Sequence, residues 1–242
     1  MKDTNTISEI VADDIRTATV FKKHGLDFCC GGNKTLKEAC DENNIGIDDL
    51  LESLQNAKLS SESSIDFQKM ELDKLLDHIV DRHHKYIYDV GPHTLQFIKK
   101  VASVHGVNHP ETKEVAVIFM NLMSELHHHM MKEEQILFPY IRNLVKMLNG
   151  EVDTQNFRQF VENPVRMMLL EHDQAGDMLK KINELTSNFT LPEGACNTFR
   201  ASYANLKEME DDVMLHIHLE NNVLFPRAIA LEKQIAESLI EG

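Results

Sequence analysis

The chain has 242 residues, of which 42 % are hydrophobic and 26 % charged, the composition of a globular protein with a sizeable core. Its formal net charge is −14, from 25 Lys and Arg against 39 Asp and Glu. This balance argues against nucleic acid and anionic membranes as partners, because phosphate contacts need clustered basic residues. We expect no signal peptide and no membrane span, since no apolar run is long enough.

Residues 1–56 are predicted to form a small helical domain around a glycine-rich turn. The turn, GLDFCCGGNKT, lies between two helical patterns at 7–23 and 47–55. Residues 57–66, AKLSSESSID, are small and polar and are predicted to be a linker. The chain has four cysteines, two of them adjacent, which is a poor arrangement for a disulfide framework and suits a reducing cytoplasm.

From residue 67 onward the apolar residues follow helical periodicity without strand alternation. Gly106 and Pro110 separate the first helix from the second. Pro92, Pro139 and Pro226 are predicted to kink or bend their helices. Residues 67–242 are therefore predicted to form an all-α, up-down four-helix bundle. The predicted helices are 67–104, 111–148, 163–187 and 195–221, with helical structure continuing past Pro226.

Two segments of the predicted bundle repeat one motif. HHHMMKEEQILFP (127–139) and HIHLENNVLFP (216–226) share the pattern H-x-x-x-E-x-x-x-L-F-P. The alignment places His129 over His216 and Glu133 over Glu220. At about 100° per residue, these four side chains lie on the apolar faces of their helices.

Other histidines are sorted by the same geometry. His172 lies near the centre of the apolar face of the third helix, whereas His127, His128 and His218 lie off theirs. A single inward histidine is ordinarily a core residue bonded to a carbonyl. A buried glutamate is costly unless it is paired, however, and no Lys or Arg lies near Glu133 on its face. A shared metal ion satisfies both residue types.

The spacing of the histidines suggests two related helical hairpins. His84 and His129 are 45 residues apart, and His172 and His216 are 44 apart. Together with two glutamates, these four histidines are sufficient for two metal ions with bridging carboxylates. Nitrogen and oxygen donors without thiolate suit iron, manganese or zinc. Ferritin-like di-iron bundles use Glu-x-x-His, so the order and spacing here disfavour that class.

The motifs resemble a known family. Paired His-x-x-x-Glu motifs in a four-helix bundle are similar to hemerythrin-like domains. The strings DFCCGG, HMMKEEQILFP, EHD and HIHLENNVLFP resemble the RIC proteins, which repair iron centres. The resemblance implies a non-haem di-iron centre, carboxylate- and oxo-bridged. It also implies repair of iron–sulfur clusters damaged by nitric oxide or oxidative stress, with damaged iron–sulfur proteins as partners.

The ligands implied by the resemblance are five histidines with two bridging glutamates: His84, His105, His129, His172 and His216, with Glu133 and Glu220. His105 comes mainly from the resemblance, because periodicity places it as a cap at the end of the first helix. Periodicity also favours His83 over His84, since His83 lies about 20° and His84 about 120° from Leu72. The family motif and the repeat favour His84, which we predict to be the ligand. Glu134 is expected not to contribute.

Cys29 and Cys30 are predicted to be reactive or metal-contacting thiols, although a pair of partly buried structural thiols is the alternative. The glycines that follow allow a partner to approach closely. Lys34 would lower a thiol pKa if it lay beside the pair. Cys40 and Cys196 are interpreted as structural.

Two classes of function stay open at this point. One is a repair protein that supplies iron or reacts with nitric oxide, and the other is a protein that binds or senses oxygen or nitric oxide. The thiol pair favours the first, since oxygen carriage needs no thiols. A structural zinc site is a further alternative. Catalytic turnover and stoichiometric iron donation both stay open. A homodimer and a monomer are also both compatible with the sequence.

Overall fold

The computed structural model describes residues 2–59, 65–155 and 157–241, without the side chain of Glu241. Within these ranges the chain is helical, and its β-type pairing is an isolated antiparallel bridge between Thr6 and Thr35. The predicted all-α class is therefore confirmed. In the same ranges, no helix has the length and apolar character needed to cross a membrane. Residues 60–64 of the predicted linker lie outside the described residues.

The chain divides into two compact units. Unit 1 combines Met1–Leu75 with Leu215–Gly242, and unit 2 is Leu76–Met214. These units follow contacts in space, whereas the predicted domains follow the order of the sequence. The domain boundaries at 56 and 67 therefore stay a prediction.

The N-terminal part of unit 1 contains four short α-helices and a 3₁₀ turn, Ile15–Thr17, in the part of the chain that the structure describes. Two of them begin with capping boxes, formed by Thr6 with Glu9 and by Thr35 with Glu38. In each box the threonine hydroxyl accepts the third helical N–H, and the glutamate accepts the N–H of the threonine. Their inward faces bury apolar side chains such as Phe21 and Leu50. The helices are α1 (Ile7–Asp13), α2 (Ala18–Lys23), α3 (Leu36–Asn43) and α4 (Ile47–Lys58).

The C-terminal part of unit 1 is dominated by helix α11, Phe225–Glu241. Arg227 near its start donates hydrogen bonds to the carbonyl oxygens of Phe67 and Met70, at 3.1 and 2.6 Å. These bonds fasten the segment that precedes helix α5, Leu72–His78, to α11.

Unit 2 is built from long helices, and α7 contacts both α6 and α9. Each predicted long helix is present, with ends within five residues of the prediction apart from the C-terminal extension. Helix α6 continues through Pro92 without a break. The helices are α6 (Lys85–His105), α7 (Glu111–Lys132), α8 (Phe138–Leu148), α9 (Glu162–Leu185) and α10 (Asn197–Leu219), the last of which ends in unit 1.

Three π-helical segments interrupt the long helices: Ile79–His84, Glu133–Leu137 and Glu220–Leu224. The last two end one residue before the Phe-Pro pairs that contain Pro139 and Pro226. A proline ring clashes with the carbonyl four residues earlier in a regular helix, and that carbonyl lies inside the π segment in both cases. π-Helical turns are frequent at functional sites. Each segment here contains predicted ligands.

Candidate metal centre

In unit 2, histidine rings gather around the carboxylate of Glu133. His84 Nε2 lies 3.4 Å from Glu133 Oε2, and His129 Nε2 lies 3.4 Å from Glu133 Oε1. The Nε2 atoms of His129 and His172 are 2.9 Å apart. All four side chains are buried, with exposed fractions between 0 and 3 %. Ligand atoms of His129, Glu133 and His172 lie within 4.8 Å of one another, close enough to hold one metal ion.

In unit 1, His216 and Glu220 repeat the relationship between His129 and Glu133. His216 Nε2 lies 3.0 Å from Glu220 Oε1, and both side chains are 0 % exposed. The pair is separated by four residues, so successive turns bring the two side chains to one face. Both members are again potential metal ligands by residue type. The prediction that the repeat buries two His-x-x-x-Glu pairs agrees with this structure.

The outer nitrogens of two rings face carboxylates. His84 Nδ1 lies 2.8 Å from Glu134 Oε1, and His129 Nδ1 lies 2.9 Å from Glu171 Oε2. Lys132 also bonds Glu171. The hydrogen bond from His129 is the main cause that lowers the pKa of Glu171 to about 2. Because an ionised carboxylate only accepts, each ring carries a proton on Nδ1 and offers the lone pair of Nε2 to a metal.

This donor set fits iron ions. Neutral imidazoles with fixed tautomers and a buried carboxylate are typical ligands of a non-haem metal. The buried histidine and glutamate side chains are compatible with a di-iron centre. No thiol is part of the candidate metal groups among the described residues.

The structure separates His83 from His84. His83 Nδ1 lies 3.1 Å from Asp212 Oδ1, whereas His84 faces Glu133. Both rings are buried, at 1 % and 0 % exposed. Because the segment Ile79–His84 is π-helical, the angle per residue there is smaller than in an α-helix, and a wheel drawn at 100° fails. His84 is thus the ring that lies beside Glu133, and its role as a ligand stays a prediction.

The placement of His105 does not agree with the prediction that it is a ligand. It is the last residue of α6, 21 residues after His84, which corresponds to about 31 Å along a helix. One iron centre cannot use both residues. His105 Nε2 instead lies 3.3 Å from Cys196 Sγ, and its ring contacts Phe199. The position at the end of the helix, which periodicity predicts, therefore describes His105 better than the ligand role that the resemblance implies.

Glu134 and His218 were missed by sequence reasoning. Glu134 contacts His84 from the outer side, although it lies one residue away from the inward position. His218, off the apolar face of its helix, is nevertheless 0 % exposed, because it contacts the loop that carries the thiols within unit 1. Helical periodicity describes one face of a helix and carries no signal for such a second contact. By contrast, His127 and His128 are exposed, as predicted.

The thiols of Cys29 and Cys30 lie 3.8 Å apart in a loop. Cys29 is buried, and Cys30 is partly exposed. The contact with Cys30, burial and the nearby Asp27 raise the pKa of the Cys29 thiol well above its usual value. Lys34 bonds Glu42, so its ammonium is engaged away from the pair. Gly32 is required by close packing, because a Cβ there would lie 2.6 Å from the carbonyl oxygen of Phe28.

Sequence comparisons identify both parts of the chain. The Hemerythrin HHE cation binding domain matches residues 75–228, which include every residue of the candidate centre. Residues 3–58 match ScdA_N, described as a domain of unknown function (DUF542). The predicted hemerythrin-like helical bundle is thereby confirmed.

Relatives that match most of the chain show to which members of this family it is similar. The chain is 40 % identical over 215 residues to an iron–sulfur cluster repair protein, YtfE, of Yersinia pestis (strain Pestoides F), covering 88 % of this chain and 91 % of the relative. The same identity and coverage hold for the protein of that name from Yersinia pseudotuberculosis serotype O:1b (strain IP 31758). The chain therefore belongs to the hemerythrin HHE family and, within it, to the iron–sulfur cluster repair proteins.

Proposed function

We propose that this protein repairs damaged iron–sulfur clusters by means of a di-iron centre. The proposed ligands are six buried side chains, namely His84, His129, His172 and His216 with Glu133 and Glu220. Their shared buried character and the family match over residues 75–228 support this assignment. The observation that carries it is the contact of two imidazole Nε2 atoms with the Glu133 carboxylate.

The residues of this chain prepare the centre in two ways. Glu134 and Glu171 keep the proton of His84 and His129 on Nδ1, so that Nε2 is available without a proton loss. Burial of Glu133 and Glu220 excludes water from their carboxylates, which strengthens their attraction for a cation. When bound, iron would supply redox chemistry and a store of metal for a damaged cluster.

The proposed substrates are iron–sulfur proteins whose clusters have been damaged by nitric oxide or oxidants. The printed name of the relatives in both Yersinia species supports this class. The sulfur atoms of Cys29 and Cys30 are 3.8 Å apart and not joined in a disulfide, which suits a reducing location, and we propose the cytoplasm. We further propose that residues 1–56 act as an accessory domain for recognition of the damaged partner, and residues 67–242 as the iron-binding domain. Two chains associating as a homodimer would present two such domains.

The function can be tested with a purified enzyme whose [4Fe–4S] cluster has been damaged by nitric oxide. The protein is purified anaerobically, and iron per chain is measured with Mössbauer spectroscopy of the centre. We expect two iron ions per chain and recovery of the client enzyme in proportion to the protein added. A metal-free preparation is the matched control. Recovery that is equal with and without iron would contradict the proposal.

The second candidate is reversible binding or sensing of oxygen or nitric oxide, which the hemerythrin family match favours. An oxygen adduct that persists spectroscopically, without any effect on the damaged client, would support this candidate. Zinc in place of iron on metal analysis would exclude both functions and indicate a structural site.

A further inference from the structure

The loop that carries the thiols, residues 27–32, is folded around the carboxylate of Asp27. We call it the dithiol loop. Asp27 Oδ1 accepts the N–H groups of Cys29 at 2.9 Å and Cys30 at 3.2 Å, and Oδ2 accepts that of Gly31 at 2.9 Å. The carboxylate therefore engages the N–H groups of the loop. The carbonyl groups of Phe28 and Cys29 bond elsewhere in unit 1.

These two carbonyl groups are bound by the helix that carries His216 and Glu220. His218 Nδ1 lies 3.2 Å from the carbonyl oxygen of Phe28, and Asn222 Nδ2 donates to that of Cys29 at 3.3 Å. Since a carbonyl only accepts, the first contact places a proton on Nδ1 of His218. Asn222 Nδ2 lies 3.1 Å from the same Nδ1 atom, so this second approach is a contact between two donors. The ring of Phe28 also meets the His218 ring edge-on, with centroids 5.8 Å apart.

The two contacts enclose Glu220 along the chain. His218 precedes Glu220 by two residues, and Asn222 follows it by two within the π segment Glu220–Leu224. His216 lies a further two residues before His218. A displacement of the loop carbonyls therefore acts on the backbone on both sides of Glu220.

The first half of the repeat, residues 127–139, has different residues at the positions of these two contacts. The positions that correspond to His218 and Asn222 are Met131 and Gln135, and both of these side chains are exposed. Two hydrogen-bonding residues thus occur in the half of the repeat that meets the dithiol loop. The common need to bury a His-x-x-x-Glu pair does not explain them, because the first half buries such a pair without them.

We propose that His218 and Asn222 are positioning residues that couple the dithiol loop to His216 and Glu220. A thiophilic ligand bound by both Cys29 and Cys30 would then change the affinity of the protein for iron. By linkage, iron would change the affinity of the thiols for that ligand by the same factor. This inference rests on the proposed iron centre and assigns the thiol pair a regulatory ligand of soft, sulfur-binding character.

A physical route for the coupling lies in one peptide unit. The carbonyl of Cys29 and the N–H of Cys30 belong to the same planar peptide. Its N–H is held by Asp27 and its oxygen by Asn222. A ligand that bonds both sulfur atoms must also draw Cys29 Sγ from Asp27 Oδ1, which it contacts at 3.2 Å. Rotation of this peptide changes the bond to Asn222.

Phenylarsine oxide is a suitable probe, because its arsenic bonds two neighbouring thiols. Two As–S bonds form, and the arsenic-bound oxygen leaves as water with the two thiol protons, so that no oxidant or reductant is needed. The full-length, iron-loaded protein is equilibrated anaerobically with increasing amounts of an iron chelator that has no thiol groups, with and without the probe. Iron retained by the protein is measured at each chelator concentration.

We expect the probe to change the apparent iron affinity by about fivefold or more, the lower end of typical couplings between sites. Asn222→Ala should reduce this change towards none while the probe still binds, and Gln135→Ala is the matched control that should keep it. His218→Asn retains a donor near the position of Nδ1 and should keep more of the change than His218→Leu. The double variant Cys29→Ser with Cys30→Ser should show no response.

If the protein binds iron normally and the probe leaves its iron affinity unchanged, this inference alone is overturned. A full response in Asn222→Ala and His218→Leu would also overturn it, because the coupling would not pass through these residues. Loss of the response in Gln135→Ala would show that any change near a glutamate ligand suffices. A protein that holds no iron with or without the probe would overturn the proposed function as well.

Discussion

Glu133 and Glu134 contact opposite nitrogens of one imidazole ring. Glu133 Oε2 lies 3.4 Å from Nε2 of His84, and Glu134 Oε1 lies 2.8 Å from Nδ1 of the same ring. One glutamate is fully buried, whereas the side chain of the other is 34 % exposed. Adjacent residues of the same type therefore have different tasks, one towards the metal and one towards the proton of its ligand.

Substitution of the two glutamates should separate these tasks. We expect Glu133→Leu to lose one or both iron ions, because a bridging ligand is removed. Glu134→Leu should keep both ions but lower iron affinity by about tenfold, the usual effect of removing an outer partner of a metal-bound histidine. Chelator competition measures both effects. Unchanged affinity in Glu134→Leu would support the simpler expectation from periodicity, that Glu134 does not contribute.

Alanine substitutions at His83 and His84 should have different consequences. His84→Ala should lose iron, since a ring that faces Glu133 is removed. His83→Ala should keep iron but lower the free energy of unfolding by about 1–3 kcal/mol, because the buried Asp212 loses a hydrogen bond. Iron analysis and urea unfolding measure the two properties. Loss of iron in His83→Ala with retention in His84→Ala would reverse the assignment.

His105 should be dispensable for iron binding. His105→Ala is expected to contain as much iron per chain as the unaltered protein, because the residue is at the far end of α6 from His84. His172→Ala is the control and should lose iron, since His172 contacts His129. Equal iron loss in the two variants would restore His105 to the ligand set.

The thiol pair should serve repair without building the metal centre. Cys29→Ser combined with Cys30→Ser is expected to leave the Mössbauer spectrum unchanged and to slow recovery of a damaged client enzyme. The reason is that both thiols lie outside the candidate metal groups. Cys40→Ser is the control for a buried thiol away from the pair. Undiminished repair by the double variant would reduce the pair to a structural role.

The pH dependence of Cys29 alkylation should reflect its raised pKa. A raised pKa means less thiolate at a given pH, so the rate should reach its midpoint at higher pH than for an ordinary cysteine. Asp27→Asn removes a negative charge and should move this midpoint to lower pH. Mass spectrometry of iodoacetamide-labelled peptides measures the rate over a pH series that begins near the ordinary cysteine pKa of about 8.5 and extends well above it.

If Asp27→Asn loosens the loop, the limiting rate of alkylation at high pH rises because the thiol is more accessible. The loss of charge, by contrast, moves the midpoint of the pH dependence. A midpoint that does not move would mean that Asp27 has no electrostatic influence on the thiol.

Periodicity and the repeat predict much of this molecule because both depend on local geometry. The helix breaks at Gly106 and Pro110 follow from backbone restrictions, and the inward faces of His129 and Glu133 follow from the turn of a regular helix. The placement of His84 required the π segment Ile79–His84, which periodicity cannot detect. The burial of His218 required contact with Phe28, a residue 190 positions away.

The wide turns at Glu133–Leu137 and Glu220–Leu224 make the chain length between each glutamate and its following proline critical. Six positions separate Glu133 from Pro139 and Glu220 from Pro226. Deleting one residue from either stretch would favour an ordinary α-helical turn, in which the proline ring clashes with the carbonyl four residues earlier. Single-residue deletions should therefore be tolerated poorly in these two stretches, even at the exposed position 135.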